Sequence, residues 1–243
     1  MFPRYGILVY DESKSRAIPW REWHYASAGA TKVTTIMQAN LFEDTVDSRL
    51  YEDHDLVDAA LREFPWAFAP QQSVQLLNAL LETTPWRQDT LRIAGREIAV
   101  PRLQCWMGDR DCCYGYSGLR LVPVALSEAV LRVRRQIHRL TGAEFNSVLL
   151  NYYRNGQDSV AWHADDEAEL GPNPVIASVS FGAERPFQLH HKTRQDLPRH
   201  KLLLRDGSLL LMGNTLQDKW MHQIPKIKGL IEPRVNLTFR TAY

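Results

Sequence analysis

Three cysteines among 243 residues, two of them adjacent at Cys112 and Cys113, are too few for a disulfide framework. Adjacent thiols without a second Cys/His pair at finger spacing also fail to close a tetrahedral metal site. Net charge is equally scarce: 29 Lys and Arg against 28 Asp and Glu leave +1, so any attraction to nucleic acid must come from local clusters. No secretory leader and no membrane-spanning run is visible, which points to a reducing cytoplasm and to no membrane partner. What is present is ordinary for a globular protein, with 44% hydrophobic residues and a length that suits one domain or one domain with a lid.

Organisation changes along the chain. Residues 1 to 36 mix Pro, Gly, Ser, Trp and Lys without a sustained period, so an N-terminal extension of about 50 residues is expected to be poorly ordered. Residues 56 to 64, with Leu56, Ala60 and Leu61, and residues 71 to 82, with Leu76, Leu77, Leu80 and Leu81, both read as amphipathic helices. Ser127 opens a third helix with an inward stripe of Val130, Val133, Ile137 and Leu140, and Gly142 ends it. Arg132, Arg135 and Arg139 fall on its other face, which reads as solvated. From Phe145 onward, short β-branched and Leu-rich runs separated by Gly171-Pro172, the 193 to 198 loop, Asp206-Gly207 and Gly213-Asn214 predict an antiparallel double sheet.

The last strand, Pro233-Arg-Val-Asn-Leu-Thr-Phe-Arg240, puts Arg234, Asn236, Thr238 and Arg240 on one face and Val235, Leu237 and Phe239 on the other. Two guanidiniums in a largely apolar strand suit a small dicarboxylate, which Arg meets bidentately. Upstream stand His163-Ala-Asp165 and a lone His222; two imidazoles and one carboxylate make a facial triad for non-haem iron(II) with open coordination positions. A bare His-x-Asp arises by composition in many chains, and an alternating Arg strand also suits the solvated face of a sheet. The order and joint chemistry of the three signals favour an iron and 2-oxoglutarate dioxygenase.

Asn151-Tyr-Tyr153, Trp162-His-Ala-Asp-Asp-Glu167, Ile176 to Ala183, Gly207 to Met212, His222 and the last strand resemble the AlkB family of nucleic-acid dealkylases. Phe145-Asn-Ser, Tyr153-Arg-Asn, the Asp158-Ser-Val run and the ending Phe239-Arg-Thr-Ala-Tyr243 are most similar to its branch with the two eukaryotic DNA-repair homologues. The resemblance implies a mainly β fold with flanking helices (α+β): one domain over 51–243, with a recognition lid and support helix at 85–145 and a double-stranded β-helix, or jelly-roll, core at 146–243. It implies His163, Asp165 and His222 as ligands of Fe(II). It further implies that 2-oxoglutarate is held by Arg234 with Tyr153 and Asn236 at one carboxylate, and by Arg240 with Asn151 near the other. Dioxygen would then be consumed as 2-oxoglutarate becomes succinate and carbon dioxide, and the alkyl carbon would leave as formaldehyde.

Methylation at N1 of adenine or N3 of cytosine creates a cation, which is favoured between an aromatic face and a carboxylate. The resemblance places Tyr114, Tyr116 and Glu167 around such a base, while strand packing is the plainer role for the tyrosines. Arg102 and the loop carrying Lys192 and Arg194 would meet the phosphate backbone. Ala94 occupies a hairpin position where the duplex-preferring homologue carries an aromatic wedge, so single-stranded DNA is the expected substrate. Met37-Gln-Ala-Asn-Leu-Phe42 resembles the opening of bacterial AlkB-type proteins, and Gln38 to Phe42 resembles a sliding-clamp peptide. A monomer in the bacterial cytosol or nucleoid is expected. RNA demethylation is one alternative, and a non-catalytic nucleic-acid- or metal-binding β-barrel is another.

Overall fold

A computed structural model describes residues 47–243 apart from 94, 110–113, 117, 118, 122, 214 and 230. Strands β1 (Glu52–His54) and β2 (Ala60–Phe64) precede helix α1 (Pro70–Thr83). A hairpin of β3 (Thr90–Ile93) and β4 (Arg96–Ala99), then β5 (Leu103–Gly108) and a hairpin of β6 (Tyr114–Tyr116) and β7 (Leu119–Leu121), lead to helix α2 (Glu128–Thr141). The chain continues through β8 (Ser147–Tyr153), β9 (Val160–His163), β10 (Ile176–Gly182), β11 (Arg185–His191), β12 (His200–Leu204) and β13 (Leu209–Gly213). A single helical turn, α3 (Leu216–Lys219), separates these from β14 (Trp220–Ile224) and β15 (Arg234–Arg240).

Seven strands form the major sheet in the order β1-β2-β13-β10-β15-β8-β5, and four form the minor sheet in the order β12-β11-β14-β9. Their pairings are antiparallel, as the short turn-bounded runs require. This is the mainly β, jelly-roll architecture expected from the sequence. Two large hydrophobic clusters result among the described residues, beside a small one of Trp106 and Leu170. One lies between the major sheet and the helices, where Val235, Leu237 and Phe239 of β15 meet Leu76 and Leu80 of α1 and Val133 and Ile137 of α2. Each such side chain contributes roughly 1.5–3 kcal/mol by leaving water. The other lies between the sheets and contains Leu61, Tyr153, Phe187, Leu189, Leu210, Met212 and Trp220.

Both α1 and α2 are where the periodicity puts them. In α1, Pro70 occupies the first turn and Gln72 Oε1 accepts from the Ala69 backbone N–H at 3.1 Å. In α2, Ser127 Oγ accepts from the Val130 backbone N–H, and Gly142 ends the helix at φ 70, a left-handed conformation suited to glycine.

The expected helix over 56–64 is not formed; Ala60–Phe64 is strand β2. Its register against β13 runs from Leu209 opposite Phe64 to Gly213 opposite Ala60. Leu61 enters the cluster between the sheets while Phe64 enters the one beneath the helices. A strand buried on both faces loses its period-2 signature, and a short apolar run then imitates a helix.

Candidate active site

Strands β9 and β14 pair with His222 directly opposite His163, and Asp165 follows two residues after His163. The imidazole centroids are 4.2 Å apart, and His163 Nε2 lies 3.8 Å from Asp165 Oδ1. One donor atom from each of the three falls within 4.8 Å of the others. His163 Nδ1–H can donate to the Ala161 carbonyl at 2.9 Å, which fixes the ring and leaves Nε2 with its lone pair.

The protonation states suit a cation. Burial would raise the Asp165 pKa, but Arg240, His163 and His222 outweigh it and bring the carboxyl down to about 2. Burial, reinforced by His163, lowers His222 to about 3, so the ring is neutral. Its buried Nδ1 has no hydrogen-bond partner among the described residues. A neutral imidazole with a free nitrogen, a second oriented imidazole and an ionised carboxylate fit the donor set of a non-haem iron(II) site. His163, half-exposed, stands on the open side.

Polar residues that share a face line up across the major sheet next to this cluster. Gln104, Asn151, Asn236 and Ser180 are consecutive cross-strand neighbours, and Tyr153 stands opposite Arg234. Arg234 is 1% exposed yet has no carboxylate partner: Nη2 donates to Ser180 Oγ at 3.0 Å, while Nε and Nη1 have no partner among the described residues. Its guanidinium lies 4.9 Å from the Tyr153 ring centroid. Burial lowers the Arg234 pKa to about 10, with Tyr153 opposing and neighbouring Arg185 assisting. A buried cation with unmatched donors is costly unless an anion completes it, so Arg234 fits the distal carboxylate of a dicarboxylate.

The other expected cosubstrate residues occupy distinct positions. Arg240 Nη2 donates to Asp165 Oδ1 at 2.8 Å, and its cross-strand partner is Ser147 rather than Asn151. Asn236 is engaged within the sheet, donating to Ser178 Oγ and the Val179 carbonyl and accepting from Thr238. Asn151 Oδ1 accepts from Arg102 Nε at 2.6 Å and from Gln104 Nε2 at 3.0 Å, which leaves its amide donor available.

The residues expected at nucleic acid are less gathered. Arg102 turns towards the sheet, to Asn151 and the Ser159 carbonyl, so it lies beside the polar row of Gln104, Asn151, Asn236 and Ser180. Lys192 donates to Asp166 at 3.0 Å and to the Gln217 carbonyl at 2.9 Å, and Arg194 pairs with Asp196 on the exposed surface. Glu167 is half-buried just after the His-x-Asp segment, at the start of the 3-10 turn Ala168–Leu170. The side chains of Tyr114 and Tyr116, together with Ala94, Met37 and the Gln38 to Phe42 peptide, lie outside the described residues.

Several supporting residues were not singled out from the sequence. Gln217 accepts from the Asp165 backbone N–H at 2.9 Å and is 1% exposed. Ser178 and Ser180 brace Asn236 and Arg234, and their alternation within Ile176–Gly182 was a readable sign of a polar inner face. Arg185 is fully buried, donating to the carbonyls of Asp158 at 2.8 Å and Pro225 at 2.6 Å.

A jelly roll with these donors on its inner wall defines a class of oxygenase, and residues 60–240 match the family model described as the 2OG-Fe(II) oxygenase superfamily. Human alpha-ketoglutarate-dependent dioxygenase alkB homolog 3 is 42% identical over 176 residues, covering 69% of this chain and 61% of that protein. Mouse DNA oxidative demethylase ALKBH2 is 43% identical over 156 residues, covering 62% and 65%. ALKBH2 of Arabidopsis thaliana is 36% identical over 195 residues, covering 70% and 62%. The chain thus spans under two thirds of the length of these relatives. It belongs to the AlkB family of that superfamily. Fe(II), 2-oxoglutarate and dioxygen are the reactants that membership brings, and the residues present fit them.

Proposed function

We propose that this protein oxidatively removes N-alkyl groups, typified by 1-methyladenine and 3-methylcytosine, from DNA. The observation that carries the cosubstrate half of this reading is Arg234, a buried cation without a carboxylate partner among the described residues, on the same sheet as the Arg240 that binds Asp165. His163, Asp165 and His222 would hold the iron. Arg234 would take one carboxylate of 2-oxoglutarate, Tyr153 would flank it, and the amide donor of Asn151 would serve the cosubstrate from the neighbouring strand. Bound iron supplies the oxygen chemistry that couples decarboxylation of 2-oxoglutarate to hydroxylation of the alkyl carbon.

The chain's residues orient and shield. Gln217 and Arg240 hold Asp165 from its backbone and its carboxylate, so the ligand is positioned before the reactants arrive. The relatives' names support a DNA substrate, and Tyr114, Tyr116 and Glu167 are proposed to cradle the cationic base, with Arg194 and Lys192 near the backbone. We further propose a preference for single strands, because flipping a duplex base costs a few kcal/mol that Ala94 has no ring to offset. Activity as a monomer in the cytoplasm, with clamp docking through Gln38 to Phe42, completes the reading.

The test is formaldehyde release from one methylated sequence offered as single-stranded DNA, as duplex and as RNA. The reading expects the order single strand, then duplex, with RNA lower. Fastest release from RNA would favour the RNA demethylase, and no release from any would leave a binding barrel.

A further inference from the structure

At the sheet edge opposite the one that carries His163, a second group of ligand-type side chains sits at the outermost strands. β1 is the outermost strand of the major sheet and β12 the outermost of the minor sheet, whereas His163 lies on β9 at the opposite edge. Glu52 stands directly opposite Glu63, and His54 opposite Leu61. Because Leu61 belongs to the cluster between the sheets, this face of β1 and β2 looks inward, towards β12. Asp53 and Arg62, on the alternate face, pair with each other at 2.6 Å.

One donor atom each from Glu52, His54 and Glu63 falls within 4.8 Å of the others. His54 Nε2 is 3.2 Å from Glu63 Oε2, and their side chains are only 11% and 4% exposed. The second oxygen of Glu63 accepts from Arg205 Nη1 at 2.7 Å, an arrangement that orients a ligating carboxylate and leaves its other oxygen for a metal. On β12, the His200 ring packs edge-on against His54 with centroids 5.2 Å apart. Its Nε2 is buried with no hydrogen-bond partner among the described residues. Burial, then His54, lowers the His200 pKa, while Glu52 opposes.

Metal–nitrogen and metal–oxygen bonds of about 2.0–2.2 Å set neighbouring ligands of a tetrahedral ion roughly 3.4 Å apart. The His54–Glu63 separation already meets that spacing. Glu52, exposed at the edge, already has a carboxylate oxygen within 4.8 Å of the other two donors, and two carboxylates offset a divalent charge even with Arg205 paired to one of them. From this geometry we infer a second divalent-metal site, of the Zn(II) class, formed by Glu52, His54 and Glu63, with His200, whose ring packs on His54 but whose nitrogens lie outside that 4.8 Å group, closing in as the fourth ligand when the ion binds. It ties β1 to β12 and closes the open edge of the jelly roll, a structural role distinct from catalysis.

The experiment uses the full chain and Co(II) as a spectroscopic stand-in for zinc, counting retained equivalents after dialysis. Wild type should retain two equivalents, and Glu52→Ala and His54→Gln should each retain one. In a chain carrying His163→Ala and His222→Ala, the single remaining equivalent should persist, and Zn(II) should raise its melting temperature by several degrees; adding Glu52→Ala should abolish both effects. Wild type binding a single equivalent, or Glu52→Ala matching wild type, would overturn the site. Glu52 is exposed, so its loss tests the site even if His54→Gln does not fold. A thiolate-to-cobalt charge-transfer band on the second equivalent would assign that metal to cysteine instead and equally reject the proposal.

Discussion

Arg240 Nη2 and Asp165 Oδ1 form a 2.8 Å ion pair in which both side chains are buried, so a guanidinium on the last strand holds a proposed metal ligand from the loop after β9. Removing one member of a buried pair leaves the other uncompensated and costs about 3–5 kcal/mol. Arg240→Ala should therefore weaken iron retention, with Arg240→Lys intermediate because a point charge replaces the planar fork. Iron titration of turnover checks this; an unchanged midpoint in Arg240→Ala would reject the coupling.

Arg234 should behave in the opposite sense on stability. Its charge is buried beside the hydroxyls of Ser180 and Tyr153 with no carboxylate partner among the described residues, so Arg234→Met removes a desolvation penalty while destroying the anion site. The variant should melt at or above the wild-type temperature without cosubstrate, and lose on the order of 2–5 kcal/mol in 2-oxoglutarate binding. A large drop in melting temperature with unchanged 2-oxoglutarate affinity would contradict it.

Gly182 closes β10 at φ 88, and a Cβ there would lie 2.5 Å from the Pro233 carbonyl oxygen and 3.1 Å from Leu77. Since the clash is with backbone adjoining Arg234, Gly182→Ala should destabilise by about 1–3 kcal/mol and displace the start of β15. Urea unfolding would show the loss; wild-type stability would mean that the turn relaxes freely.

Cys105 is 4% exposed, and burial pushes its thiol up to about 11. In a chain with Cys112→Ser and Cys113→Ser, a thiol reagent at pH 8 should label nothing until denaturant is added, because only the thiolate reacts. Rapid native-state labelling would place Cys105 outside the core.

How much of this was legible beforehand depended on sequence distance and on burial. The His163, Asp165 and His222 grouping and the two faces of β15 could be read because each relies on a short motif or a strict alternation. The helices at Pro70–Thr83 and Glu128–Thr141 were legible from one-sided apolar stripes with recognisable ends. The β2 segment imitates a helix in sequence because Leu61 and Phe64 serve different cores, which erases the alternation that marks a strand. Gln217 and Arg185 had no local signal, since their partners lie tens of residues away. Glu52, His54, Glu63 and His200 become neighbours only once the two sheet edges meet.

The central claim is that this fold couples 2-oxoglutarate turnover to dealkylation through His163, Asp165, His222 and Arg234. Its most direct test measures succinate and formaldehyde together from iron-loaded protein on single-stranded DNA containing 3-methylcytosine, beside Asp165→Ala and Arg234→Met. The account expects wild type to release one formaldehyde per succinate, and each variant to release almost none. Formaldehyde at the wild-type rate from either variant, or succinate from wild type without formaldehyde on any alkylated strand, would contradict it.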